Sequence, residues 1–383
     1  MAMRPPIPSL ILSRRAKIAL LVVAVLIVLF IIANVLVGIY INWLWFGSVG
    51  FRGVYTTVFW TRVSLFFIFG VIMAAGIGAS VVVAYAARPP FRPLSPEQQN
   101  LERYRVILEP RKKLLFAALL VIVGFASGMA AQGDWQIWQL FLHGGSFGIK
   151  DPQFHLDISF FAWDYPAYRT MLSFGFALVI FSIILSVAVY YIFGAIRIQT
   201  PGPKIALSAR RHLTILIFVF IVLKAIAYWL DRYGLVYSTR GQTTGASYAD
   251  VNAALPAKTI LFWIAIIIAM LVIASLWLKN ARLPGIAFVV LLLLAIVING
   301  IYPAIVQQVT VKPNASQKES PYISRNIAAT RAAYGINSTS DGGTVDYENY
   351  NVTGSPVTSD LSATSPTISD IRILDPNVLS PTT

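Results

Sequence analysis

The chain contains no cysteine. That excludes disulfides, thiolate nucleophiles and cysteine-based zinc sites. Histidine is almost as scarce: His143, His155 and His212 are the full set, and a histidine-rich metal centre is not expected. Only 12% of the residues are charged, against about 25% in an ordinary soluble domain. There is no GxxxxGK[ST] loop, no G-x-S-x-G elbow and no H-E-x-x-H helix. The usual signatures of nucleotide, serine-hydrolase and zinc-protease chemistry are therefore missing. No metal and no cofactor follow from the residues.

What the chain has in abundance is apolar surface. Of its 383 residues 57% are hydrophobic, more than a water-soluble fold can cover. Seven apolar runs stand out, at 18–40, 63–85, 114–131, 171–193, 213–230, 260–278 and 286–302. Each is close to the ~20 residues that cross ~30 Å of hydrocarbon. Six carry no charge, and the fifth holds Lys224. The expected fold is all-α, with seven transmembrane helices over 1–306 and the start of an extracytoplasmic domain over 307–383.

The first run follows Arg14, Arg15 and Lys17. It exceeds the ~7–15 apolar residues of a signal peptide. It also passes into Asn42-Trp43-Leu44-Trp45-Phe46, an interfacial aromatic belt rather than a cleavage site. It reads as an uncleaved anchor.

Orientation follows from the basic residues. With the N-terminus cytoplasmic, the inner segments hold Arg4, Arg14, Arg15 and Lys17, then Arg88, Arg92, Arg103, Arg105, Arg111, Lys112 and Lys113. Further on come Arg197, Lys204, Arg210, Arg211, Lys279 and Arg282, and only Glu97, Glu102 and Glu109 oppose them all. The net charge of +14 is thus explained by topology. Membrane lipids, not nucleic acid, are the expected partner, and an odd number of spans places the C-terminal tail outside.

The loops carry the remaining signals. Arg88-Pro89-Pro90-Phe91-Arg92-Pro93 cannot be helical. Ser95-Pro96 opens a possible short surface helix over Leu101, Tyr104, Val106, Ile107 and Leu108, with a solvated connector as the alternative. The outer loop 132–169 is unusually aromatic. Trp135, Trp138, Phe141 and Leu142 suggest an interfacial helix ended by Gly144-Gly145, and Phe154, Ile158, Phe161 and Tyr165 a second one. Trp43, Trp45, Trp135, Trp138 and Trp163 are the expected interfacial anchors.

Chemistry has few candidates. Lys224 is a charge inside a span, and Asp231 lies about two turns on along the same face. The two form a candidate intramembrane pair, with plain snorkelling of the lysine as the alternative. In the outer loop Asp134, Asp151, Asp157 and Asp164 lie near His143 and His155. Acid–base or metal work and simple turn-capping both remain open for them. Gly124-x-x-x-Gly128 fits a close helix contact. From Gln307 onward the chain turns polar, with a helix expected over 320–334 and loop at Asn337–Gly343. No internal repeat is visible.

Four stretches together resemble a known family. They are Trp43-Leu44-Trp45-Phe46-Gly47 with Gly50-Phe51-Arg52; Gln139–Gly145 with Asp151-Pro152-Gln153-Phe154; Lys224–Tyr233; and Val311–Ser320 with Tyr322-Ile323-Ser324-Arg325. They are similar to Uncharacterised Protein Family 0182, large multi-pass membrane proteins typical of actinobacteria. The resemblance implies a bacterial plasma membrane, seven N-terminal spans and a large external domain of which this chain holds only the beginning. It implies no activity and no catalytic residue.

The expected function is accordingly a non-enzymatic cell-envelope protein. Its membrane part would anchor an external domain that handles or transfers lipid, polymer or partner proteins. Two alternatives stay open: a membrane enzyme acting on a lipid-linked substrate at the outer face, and a secondary transporter or channel using Lys224. The oligomeric state is left open.

Overall fold

The computed structural model describes residues 13–88, 105–106, 108–196, 205–241, 243–277, 283–339 and 342–346. Among these residues the fold is helical, with isolated β-bridges and no strand. Seven helical runs are long and apolar enough to cross a membrane. They overlap the seven apolar runs of the sequence one for one, and they are longer. The apolar run measures only the hydrocarbon, while a helix continues through the headgroups wherever its backbone stays internally bonded.

The first run is α1 (Arg14–Ser48), whose N-cap Ser13 accepts a hydrogen bond from Ala16 N at 3.2 Å. It turns at Gly50, where φ is +80°. Phe51 N donates to Phe46 O at 2.8 Å and Gly50 N to Gly47 O, the paired bonds of a Schellman cap. The second run is α2 (Arg52–Ala86). The third joins α3 (Lys112–Ala131), a 3-10 turn (Gln132–Asp134) and α4 (Trp135–His143) into one rod. The expected Trp135 helix therefore exists, but as the end of this span and not as a separate loop element. Gly144 N closes it on Leu140 O at 2.7 Å.

The fourth run opens with a π-turn (Phe160–Asp164) and continues as α5 (Tyr165–Ile192). The second helix expected in the outer loop is thus the start of this span, with Phe154 in the turn before it. The fifth run is α6 (Leu207–Tyr233), and the sixth is a π-turn (Asp250–Ala254) leading into α7 (Leu255–Ala274). The seventh comprises α8 (Leu283–Ala295), a π-turn (Ile296–Ile301), α9 (Tyr302–Val306), another π-turn (Gln307–Val311), a 3-10 turn (Lys312–Asn314) and α10 (Ala315–Ala333). Helical turns therefore continue from Gln307 to Asn314, past the end of the last expected span and into the polar stretch.

The Pro-rich inner segment and most of the expected surface helix after Ser95 lie outside the described residues. Arg105, Val106 and Leu108 are helical.

Helix α2 is the hub. Helices α1, α3 and α5 all pack on it, α5 then meets α6, α6 meets α7 and α7 meets α8. Small residues set the distances. A Cβ on Gly70 would lie 2.8 Å from Gly124 O, and one on Gly128 only 2.6 Å from Phe66 O. The close contact expected of Gly124-x-x-x-Gly128 is therefore between α2 and α3. The largest core joins Ile221, Ala225 and Tyr228 of α6 to Leu261, Ala265 and Val272 of α7. Helix α1 contributes nothing to any core: the apolar stretch of its span is wholly exposed.

The chain divides into two compact units, Met1–Tyr322 and Ile323–Thr383. In the second, among the described residues, Ser338 and Val345 form an isolated bridge across a short turn.

Candidate functional site

Because α3 and α5 flank α2 side by side, they leave a lateral slot between them. Its volume is about 740 Å³. The floor is Phe69 and Met73 of α2, and the walls include Ile122 and Ala126 of α3 and Phe181 of α5. Phe181 and Ile122 are exposed, at 51% and 66%, on a surface that an aqueous protein would bury. The slot's charged groups collect at one end, where Asp134, Arg169, Thr170 and Trp138 form the rim, while Ser127 and Ser173 add hydroxyls along the walls.

A second trough of about 840 Å³ lies on the opposite flank of α2, lined by Trp60, Leu65, Leu142 and Met171. Trp138, Phe69 and Phe174 line both troughs. Phe69 meets Trp138 and Phe174 edge-on, with centroids 5.4 and 4.8 Å apart. These three rings are the partition between the troughs. Gln139 of α4 donates a hydrogen bond to Thr61 of α2 beside it.

Behind the rim lies a charge cluster. Arg169 Nη1 is 2.6 Å from Asp231 Oδ1, and Lys258 Nζ is 4.0 Å from the other carboxylate oxygen. The Lys258 side chain is 13% exposed and that of Asp231 23%. Among the described residues Asp231 makes no contact with Lys224; its partners come from α5 and α7. The expected Lys224–Asp231 pair is corrected accordingly: Arg169 reaches the carboxylate directly, while Lys224 Nζ lies 4.9 Å from the centre of the Tyr228 ring. Arg240 adds an ion pair to the fully buried Asp250 at 3.0 Å. Asp250 in turn is fixed by Ser247, whose N and Oγ both donate to Oδ2, a capping box for the sixth run.

The other outer-loop candidates do not converge. Asp157 accepts from Ser146 Oγ at 2.5 Å, Gly148 N at 2.9 Å, Ser159 N at 2.8 Å and Phe147 N at 3.2 Å. These bonds, the Ser146 hydroxyl first, hold its carboxyl well below the usual carboxylate range. Asp151 accepts from Gln153 N and Phe154 N, an Asx-type turn. His155 takes the left-handed conformation, φ +58°, with its N donating to Asp151 O. His143 Nδ1 lies 3.2 Å from Gln139 O. Asp164 ends the π-turn that opens the fourth run without a side-chain cap bond. Among the described residues no three His, Asp or Glu side chains gather into a metal site.

The tryptophans serve different ends. Trp43 lies under the Arg52 guanidinium at 4.2 Å and Trp135 under that of Arg62 at 5.5 Å. Trp45 is 57% exposed. Trp163 stacks on Phe147 and donates to Gly145 O at 3.2 Å, pinning the loop. Trp138 is the partition, with its Nε1 buried and unpaired.

One network was not foreseen. The hydroxyls of Ser80 and Ser186 lie 2.8 Å apart, and His212 meets Ser80 at 3.3 Å and the Tyr190 hydroxyl at 2.9 Å. It ties α2, α5 and α6 together. The signal in the sequence was weak: two serines and a tyrosine inside apolar runs, each with a single polar atom.

The fold defines an all-helical protein with seven helical runs long and apolar enough to cross a membrane, and with apolar troughs on its flanks. Its family is equally plain. The chain belongs to the uncharacterised protein family UPF0182, whose family model matches residues 19–383. It is 44% identical over 378 residues to a UPF0182 protein of Streptomyces coelicolor, covering 97% of this chain and 37% of that one. It is 44% identical to one of Frankia casuarinae, covering 96% and 36%. For one of Rhodococcus erythropolis the identity is 42%, covering 99% and 39%. The chain thus spans less than two fifths of the length of these curated relatives. No solved structure matches it.

Proposed function

We propose that this chain is the membrane part of a bacterial cell-envelope protein that seats a lipid in the slot between α3 and α5 and anchors an extracytoplasmic domain. One observation carries the reading: the slot is mostly apolar along its length, with only the Ser127 and Ser173 hydroxyls interrupting it, and its charges lie at the rim formed with Asp134, Arg169 and Thr170. A lipid fits such a trough by burying its chain at about 0.8 kcal/mol per CH₂ and leaving its headgroup at the charges. The distribution of Lys and Arg supports a cytoplasmic N-terminus, a plasma-membrane location and an external tail.

Native mass spectrometry after delipidation tests the slot. The wild-type protein is expected to retain a defined lipid, and the Ala126→Trp/Ala130→Trp double variant to lose it. Val121→Trp, on an exposed part of α3 outside the slot, is expected to keep it. Equal retention in all three proteins would place the lipid elsewhere.

A further inference from the structure

The ion pair of Arg240 and Asp250 borders a chamber separate from the slot. It has a volume of about 330 Å³ and is lined by Arg240, Gln307, Gln308, Val311, Lys312 and Glu319 among others. Glu319 is 3% exposed. One of its oxygens accepts from Tyr248 N at 3.2 Å, while Oε1 is buried with no partner. Gln307 Oε1 is also buried and without a partner. A buried carboxylate oxygen left unbonded costs more than a neutral group in the same position. Two such acceptors on residues of one chamber call for a donor that the described residues do not supply.

The charges narrow the choice. Asp250 already occupies Arg240, leaving Glu319 within and the exposed Lys312 beside it. The pair suits a molecule with an ammonium at one end and an anion at the other. Chamber size points the same way, since it sits at the small end of the ~300–1,000 Å³ typical of small-molecule sites. That is room for a headgroup and not for a whole lipid.

We propose that the chamber binds a phosphoethanolamine unit, its primary ammonium donating to Glu319 Oε1 and Gln307 Oε1 and its phosphate facing Lys312. The unit can come from a lipid headgroup or from a free phosphodiester. A quaternary ammonium has no N–H, so phosphocholine cannot satisfy the two acceptors.

The test uses the full chain in nanodiscs of phosphatidylglycerol, titrated calorimetrically with glycerophosphoethanolamine and glycerophosphocholine. Saturable binding of the first at about 1 mM or tighter is expected, with about tenfold weaker binding of the second. Glu319→Gln should remove the preference, and Lys312→Met should weaken both ligands while leaving the preference intact. Circular dichroism and thermal melting establish that each variant is folded. Repeating the titration in nanodiscs containing phosphatidylethanolamine separates the sources: competition identifies a lipid headgroup, and unchanged affinity a free compound. Equal affinity for the two ligands, or no saturable binding to the folded wild-type protein, would overturn the proposal and leave the chamber to water.

Discussion

At Asp231 the structure draws together three residues that are far apart in sequence. Arg169, Asp231 and Lys258 come from three spans, so each depends on the others for its partner. Removing the carboxylate leaves Lys258, 13% exposed, without its nearest counter-charge. Asp231→Ala is expected to cost about 1–3 kcal/mol of stability, read as a lower thermal midpoint in detergent. Lys224→Met should cost clearly less, because Lys224 gives up only a contact with the Tyr228 ring. Neither outcome was legible in the sequence. Spacing along one helix put Lys224 and Asp231 on a common face, but partner choice is decided by which helices pack, and α5 and α7 bring other cations closer.

Asp157 gives a pH prediction of definite sign. Its carboxyl titrates lower in the folded loop than in the unfolded chain, so the ionised form favours the fold. That stabilisation is present above the ordinary aspartate value of 3.8 and fades as pH falls through the depressed folded value. Amide exchange at Phe147, Gly148 and Ser159 should therefore stay slow down to about pH 4 and accelerate below it. In Asp157→Asn it should be fast at every pH. A pH-independent wild-type profile would remove the carboxylate from the loop's stability.

At the scale of elements, the helix contacts rest on missing side chains. Gly→Ala inside a helix gains about 0.5–1 kcal/mol of propensity. Gly38 of α1 has nothing within 4 Å of a new Cβ, so Gly38→Ala should be neutral to stabilising. At Gly128 the same Cβ meets the Phe66 backbone oxygen at 2.6 Å. The backbone there cannot swing aside, and Gly128→Ala should lose about 1–3 kcal/mol despite its better propensity. Thermal unfolding of both variants checks the contrast. The existence of each span was legible, because length and hydropathy suffice for that. The ends were not. Gln132–Asp134 lay within the expected outer loop, Phe160–Asp164 within a helix expected to be separate from the span, and Gln307–Asn314 beyond the last expected span, yet all continue helices through 3-10 or π turns. Glu319 was hidden for a related reason: in a polar tail a glutamate looks solvated, and only the fold buries it.

For the whole molecule, the absence of cysteine is an experimental convenience. A single Thr344→Cys, at an exposed position of the second unit, adds the sole thiol. An impermeant maleimide is expected to label it in intact cells as fully as after lysis. Labelling that waits for lysis would reverse the proposed orientation.

Helix α1 touches its neighbour only near its far end. There Tyr55 donates to Ile39 O at 3.1 Å, Phe46 stacks on Tyr55 and Arg52 covers Trp43. Among the described side chains of α1 before Gly38, all but the half-buried Ala16 are exposed. Its sequence is therefore free of any jigsaw requirement over that length, and only greasiness and extent are specified. An unrelated apolar segment spliced in ahead of Gly38 should be accepted without disturbing the other six spans, much as a mooring line can be changed without rebuilding the ship.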